Sequence, residues 1–404
     1  MINKKNYYLI FINSFFIGFT LLVLLNSVFL YKYFVGGSEV LFGDYKAAIE
    51  AIICNQKEIN KVCPEYAYGK ILTFLPYSKN ISFVYDKLIP FLLIFIFIFF
   101  VSYYFDTKKK LSVLFLYLCV FSPSTLLLIE RLNLDIIILI SIFIFSINKI
   151  YFINWVILIN LTLLKIYPFV LSLIIFYENK KRSIYLSLSI FLITSILIIF
   201  LVIKYDLFET INAYGTESKA SYFYLFSFNH LPKLLKYSLG INYILSLSLL
   251  GLSFIYIVFK MCSKNDVSVK IGENNYELIM FNLGAIILIS SYLIYSNYYY
   301  REVFLICVFP LLLKDEIFKI RFIRYFLYFS IFRYIFEYVY SYISLTDFIY
   351  YIDNLRYFKF SFMFVSYLKS LFDLALITAL SYIFFIFNKD FIIEKLPSLN
   401  KLYR

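Results

Sequence analysis

A single histidine, five sparsely placed cysteines and no glycine-rich nucleotide loop leave this 404-residue chain few of the commoner chemistries. One histidine is no metal site by itself, and the cysteine spacing is too sparse for zinc without partner ligands. No Walker loop, Rossmann glycine pattern or His-Glu-x-x-His string occurs, and no soluble stretch is long enough for a nucleotide domain. A repeat of fixed period is not visible, nor is the inverted-repeat symmetry of many transporters.

What is abundant is apolar surface. Hydrophobic residues make up 62% of the chain and aromatics 23%, against roughly 45–50% apolar usage in soluble domains. Runs such as 88–105 and 183–202 are continuously apolar rather than alternating. About 20 such residues cross a hydrocarbon core of about 30 Å as a helix, and helices rather than a barrel follow. The fold class expected is therefore all-α, a single integral membrane domain over residues 1–404. The net charge of +13 sits mainly between the runs, where it sets topology under the positive-inside rule.

The run at 7–33 is too long for a signal-peptide core and lacks a clear small-residue cleavage site, so it is expected to remain as the first span. With Lys4 and Lys5 inside, further spans follow at 88–105, 111–129 and 136–147. The stretch 152–177 read as one helix sends Lys180, Lys181 and Arg182 outside, against the charge rule. Broken at Tyr167 and Pro168 it returns them inside, and proline supplies the break because it cannot continue the hydrogen-bond ladder. Spans at 183–203, 241–259, 278–296, 302–313, 325–344 and 361–388 complete a count of about twelve helices with both termini inside. The inner segments are then denser in Lys and Arg than the longer outer ones. Two outer loops, 34–87 and 204–240, have the most room for short helices of their own and are expected to bear the site.

Cys119, Cys262 and Cys307 fall in or beside spans and read as small apolar packers. Cys54 and Cys63 share the first outer loop, where a disulfide forms only if that loop faces an oxidising compartment.

Polar residues stand out against this background. The string Glu130, Arg131, Leu132, Asn133, Leu134, Asp135 lies between two apolar runs, and ionisable groups are costly at such places. Arg131 and Asn133 suit a phosphate, while Asp135 suits a sugar hydroxyl or the arginine. A salt-bridged helix start is the plainer reading of Asp135. Lys165 and Tyr167 make a similar case at the hairpin tip, with snorkelling of the lysine as the alternative. Asp44, just after the first span, reads either as a carboxylate tuned to take a proton or as the cap of a short helix. His230 reads either as a phosphate or hydroxyl ligand or as an ordinary loop residue. Arg301, closing a run of tyrosines at an expected interface, offers a second phosphate ligand. Arg333 with Glu337 and Lys369 with Asp373 are spaced to share helical faces. Internal ion pairs are the plainer reading of these, and a proton or ion pathway is the alternative.

An outer-loop aspartate after the first span, an Arg-x-Asn-x-Asp string opening a later one, and Leu164-Lys165-Ile166-Tyr167-Pro168 further on together resemble the GT-C membrane glycosyltransferases. The likeness is to the polyprenol-phosphate-mannose-dependent mannosyltransferases of glycosyltransferase family eighty-seven. It covers the first half best, through Tyr177, and the second half more loosely. Where that family reads Arg-Gly-Asn-x-Asp, this chain has Leu132 in place of the glycine. The resemblance implies Asp44 as general base, a sugar donor carried on polyprenyl phosphate, and a glycan or lipid acceptor met at the outer leaflet. Arg131, Lys165, His230 or Arg301 would then stabilise the departing phosphate. No metal or other cofactor is expected, since Glu39 and Glu50 form no recognisable ligand pattern with Asp44, and no nucleic acid is expected as a partner. A surface-polysaccharide polymerase using a diphosphate-linked donor and a lipid-sugar flippase or transporter are the competing readings. Heavy Ile, Asn, Lys and Tyr use fits an AT-rich bacterial genome, which places the chain in a bacterial cytoplasmic membrane with its site facing the periplasm or exterior.

Overall fold

The computed structural model describes residues 10, 13–20, 42, 45–46, 49–50, 84, 88–148, 150–165, 167–173, 189, 192–197, 199–200, 203, 225–264, 276–294, 297–353 and 360–395. These are almost wholly helical, and they divide between two compact units, residues 1–172 with 191–220 and residues 173–190 with 221–404. Three described helices are long and apolar enough to cross a membrane, Tyr243–Met261, Tyr276–Leu293 and Met363–Lys389, and a bent pair makes up to four.

In the first unit, α1 (Ile89–Tyr104) opens with Pro90 in its first turn, where a missing N–H costs nothing. It packs on α4 (Asp135–Ile147) through the stacked rings of Tyr104 and Phe143, whose centroids are 5.2 Å apart. The Tyr104 hydroxyl donates to the Phe143 carbonyl at 3.1 Å and pairs with Ser146. Between them, the single span expected at 111–129 is two helices, α2 (Lys110–Val120) and α3 (Pro123–Arg131), bent by 47°. Pro123 cannot donate into the ladder; Phe121 closes one helix and Ser122 caps the next, its Oγ accepting from the Thr125 N–H at 3.2 Å. The Thr125 hydroxyl donates to the Cys119 carbonyl at 2.6 Å, satisfying a group the break would orphan. Helix α5 (Tyr151–Leu164) stops at Lys165, which is extended, and a 3-10 turn begins at Tyr167. The helix thus stops at Leu164, before the break expected at Tyr167 and Pro168, which themselves lie in the 3-10 turn; the second arm of the expected hairpin falls mostly outside the described residues.

In the second unit, β1 (Leu225–Phe226) precedes α6 (His230–Leu239), so the expected loop 204–240 does hold a helix. Helix α7 (Tyr243–Lys264) shows large apolar side chains on most of its surface, with Ile244 72% and Leu252 66% exposed. Such a surface suits a hydrocarbon solvent and not water. Helix α8 (Tyr276–Ile294) leads to β2 (Asn297–Tyr298), which pairs antiparallel with β1, Leu225 opposite Tyr298.

The span expected at 302–313 differs. A 3-10 turn, Tyr299–Phe304, is followed by α9 (Leu305–Leu312) of 8 residues. At about 1.5 Å per residue such a helix covers about 12 Å, far short of a bilayer core. It lies close against α8, where a Cβ added at Gly284 would sit 2.5 Å from the Cys307 Cβ. Such contact is typical of helices that pack without a hydrophobic driving force between them. After the short α10 (Asp315–Phe318) come two long helices, α11 (Arg321–Asp353) and α12 (Phe360–Lys395), both longer than the apolar runs that announce them. Phe372 of α12 is edge-on to Phe329, Phe332 and Phe336 of α11 at 6.0, 5.5 and 4.9 Å. Asn388 of α12 donates to Asn282 of α8 at 2.8 Å. Cys119 and Cys307 are buried free thiols, as packers would be. Cys54 and Cys63 lie outside the described residues.

Candidate functional site

The first polar centre grows from the end of α3. Leu132 takes the left-handed conformation, φ 44° and ψ 51°, which turns the chain sharply enough for α4 to begin three residues later. The Leu132 N–H donates to Ile129 at 3.0 Å and the Asn133 N–H to Leu128 at 3.1 Å, closing the helix end. This is the position where the resembled family carries glycine, and the backbone here adopts the geometry that glycine serves. A leucine accepts the strain because its side chain is fully buried.

The turn presents Asn133 and Asp135 together. Asn133 Oδ1 accepts from the Asp135 N–H at 3.1 Å, tying the first turn of α4. It also accepts from Lys165 Nζ at 2.6 Å, and Lys165 makes an ion pair with Asp135. Asp135 is fully buried while the lysine side chain keeps 11% exposure. Lys165 reaches this place because α5 ends one residue before it, so its extended backbone turns the side chain back over the start of α4. The structure thus brings Lys165 to two other residues singled out from sequence, Asn133 and Asp135, which lie 32 and 30 positions before it. It does so as the salt-bridged helix start and the polar cluster at once.

Arg131, in the last turn of α3, and Tyr167, at the head of the 3-10 turn, are half-buried in the same unit. Asp44 lies outside the described residues. Two positions before it, Phe42 is left-handed at φ 63°, and its N–H donates to the Glu130 carbonyl at 2.7 Å. The Lys46 N–H returns to the Phe42 carbonyl at 2.9 Å. Phe42 is therefore tied to Glu130, the residue before Arg131 in the sequence.

The second unit holds His230 and Arg301. His230 is not a loop residue. It opens α6, is 1% exposed, and its Nδ1 is 2.8 Å from the Ser370 hydroxyl of α12. Arg301 is half-buried in the 3-10 turn that follows β2. The two i,i+4 pairs expected on α11 and α12 are one cluster, joined by Glu302. Arg333 Nη2 lies 2.6 Å from Glu302 and 2.6 Å from Asp373, and Nη1 lies 2.5 Å from Glu337. Lys369 Nζ is 3.2 Å from Glu302 and 2.7 Å from Asp373. Glu302 carries no periodic partner in the sequence, and its place in the cluster is set by the 3-10 turn. The adjacent Arg301 drew attention to that turn, which was the available signal. Among the described residues no group of three His, Cys, Asp or Glu is arranged to hold a metal ion.

No protein-family model, curated protein or solved structure matches the chain.

Proposed function

We propose that the chain is a polytopic inverting glycosyltransferase of GT-C type, of about twelve helices, moving a hexose such as mannose from a polyprenyl phosphate to a lipid-linked or cell-envelope acceptor. The reaction takes place at the outer face of a bacterial cytoplasmic membrane. The observation that carries the reading is the convergence of Lys165 on Asn133 and Asp135 beside Arg131, with the Phe42 N–H fixed on Glu130.

A lipid-phosphate leaving group already lies at the membrane interface, so the enzyme needs cations for the phosphate and a carboxylate for the acceptor hydroxyl. Asp44 takes the acceptor proton, the freed oxygen attacks the anomeric carbon, and the bond from that carbon to the phosphate oxygen breaks. One displacement inverts the centre. Arg131 and Lys165 meet the charge that grows on the leaving phosphate. Asn133, Asp135 and Tyr167 position the sugar.

The test is purified protein supplied with a panel of polyprenyl-phosphate sugars, with release of polyprenyl phosphate measured for wild type and Asp44→Asn. Loss of the base lowers the rate by about two orders of magnitude or more. Transfer that survives Asp44→Asn unchanged overturns the assignment. Turnover of diphosphate-linked oligosaccharides alone would identify a polymerase instead.

A further inference from the structure

The cluster of Glu302, Arg333, Glu337, Lys369 and Asp373 does not balance. Three carboxyls face two cations, and every side chain in the group is 0–2% exposed. An unpaired buried charge costs several kcal/mol even after the surroundings relax. All five groups ionised leave one negative charge over, with no solvent to screen it.

Geometry shows where the imbalance falls. Asp373 is engaged through both oxygens, Oδ1 by Arg333 and Oδ2 by Lys369. Glu302 and Glu337 each give one oxygen to Arg333, and their other oxygens, both Oε2 and both buried, meet no donor N–H or hydroxyl. The two carboxyls lean on the two ends of one guanidinium, Glu302 at Nη2 and Glu337 at Nη1. Two carboxylates held on one guanidinium repel, whereas an acid and a carboxylate make a strong charge-assisted bond. The Arg333 guanidinium already fills the centre of the group, which leaves a proton as the cation that fits.

We propose that Glu302 and Glu337 share one bound proton at neutral pH, making the heart of the second unit a built-in proton site. With it the cluster sums to zero. Other titratable groups around the cluster are Tyr292 of α8, Tyr338 of α11 beside Glu337, Tyr340 of α11 under Lys369, and His230 of α6, which reaches Ser370 next to Lys369. A phenol has no carboxyl carbonyl to contribute to the readout. An imidazole gives no carboxyl signal and so cannot imitate the readout. The inference stands whether or not the transferase reading holds.

The experiment is infrared spectroscopy of the full chain in lipid nanodiscs at neutral pH, with ¹³C-glutamate labelling to assign the carbonyl stretch of a protonated carboxyl. Wild type shows that band, shifted by the glutamate label. Glu337→Gln and Glu302→Gln each lose it, because the amide supplies the donor hydrogen and the charges then sum to zero without a proton. Absence of the glutamate band in wild type overturns the proposal and needs no variant to fold. Its persistence in both variants overturns it too.

Discussion

Leu132 tests whether packing outweighs backbone strain at the turn that builds the first polar centre. At φ 44° a non-glycine residue pays about 1–2 kcal/mol. Its side chain is 0% exposed, and truncating such a leucine to alanine costs about 3–5 kcal/mol in transfer and cavity terms. Leu132→Gly removes both the strain and the side chain, so the variant is expected to be less stable by about 2 kcal/mol. Leu132→Ala loses the side chain and keeps the strain. It should fall below the glycine variant by about 1 kcal/mol, a factor of about five in the unfolding equilibrium. Denaturant unfolding in detergent micelles, comparing the three proteins under one condition, measures both differences. A glycine variant as stable as wild type would show that packing does not offset the strain. An alanine variant equal to the glycine variant would show that there is no strain to relieve.

Three further outcomes follow from the geometry. Lys165→Met leaves Asp135 buried without its ammonium and should cost about 3–5 kcal/mol; Asp135→Asn in the same chain should restore a good part of that in a double-mutant cycle, and additive effects would contradict the pairing. Gly284→Ala places a Cβ 2.5 Å from that of Cys307, backbone-anchored on both sides, so thermal unfolding should show a loss of about 1–3 kcal/mol. Tyr104→Phe removes the hydroxyl that bonds Phe143 and Ser146 between α1 and α4; a loss of about 1 kcal/mol is expected in the same assay, and no loss would show those bonds to be without net value.

Much of this was legible in the chain. Continuous apolar runs announce α1, α4, α7, α8 and α12 because a helix in lipid has to satisfy its backbone internally. Pro168 marks the interruption after α5 for a local reason, and local reasons survive folding. The bend between α2 and α3 was also written there, as a serine followed by proline, a helix start signal inside an apolar run. Apolar content alone masks it. What hydropathy does not carry is where a helix ends once its sequence turns polar, so α11 runs on to Asp353. At the polar centres, crowding of Arg131, Asn133 and Asp135 was visible, but Lys165 joins them only because of how α5 terminates. The i,i+4 rule finds Arg333 with Glu337 and Lys369 with Asp373 one helix at a time. It has no means of finding Glu302, which arrives from a different element.

The two centres answer the cost of buried charge in opposite ways, and the difference bears on what each can do. In the second unit all five ionisable groups are sealed, and each cation is already shared among carboxyls at hydrogen-bonding distance. A phosphate could enter only by breaking several such pairs, each of them expensive to break, whereas a proton needs no space. In the first unit Lys165 keeps part of its surface exposed, and Arg131 and Tyr167 are only half-buried. A lysine is a compact point charge on a flexible stem, able to swing from Asp135 toward an incoming anion while the aspartate keeps its place at the positive end of α4. On the transferase reading, exchange of a charged ligand therefore belongs to the first centre. On that reading, substitutions at Lys165 should alter the affinity for a polyprenyl-phosphate sugar, while those at Glu302 or Glu337 should alter proton content and leave that affinity unchanged.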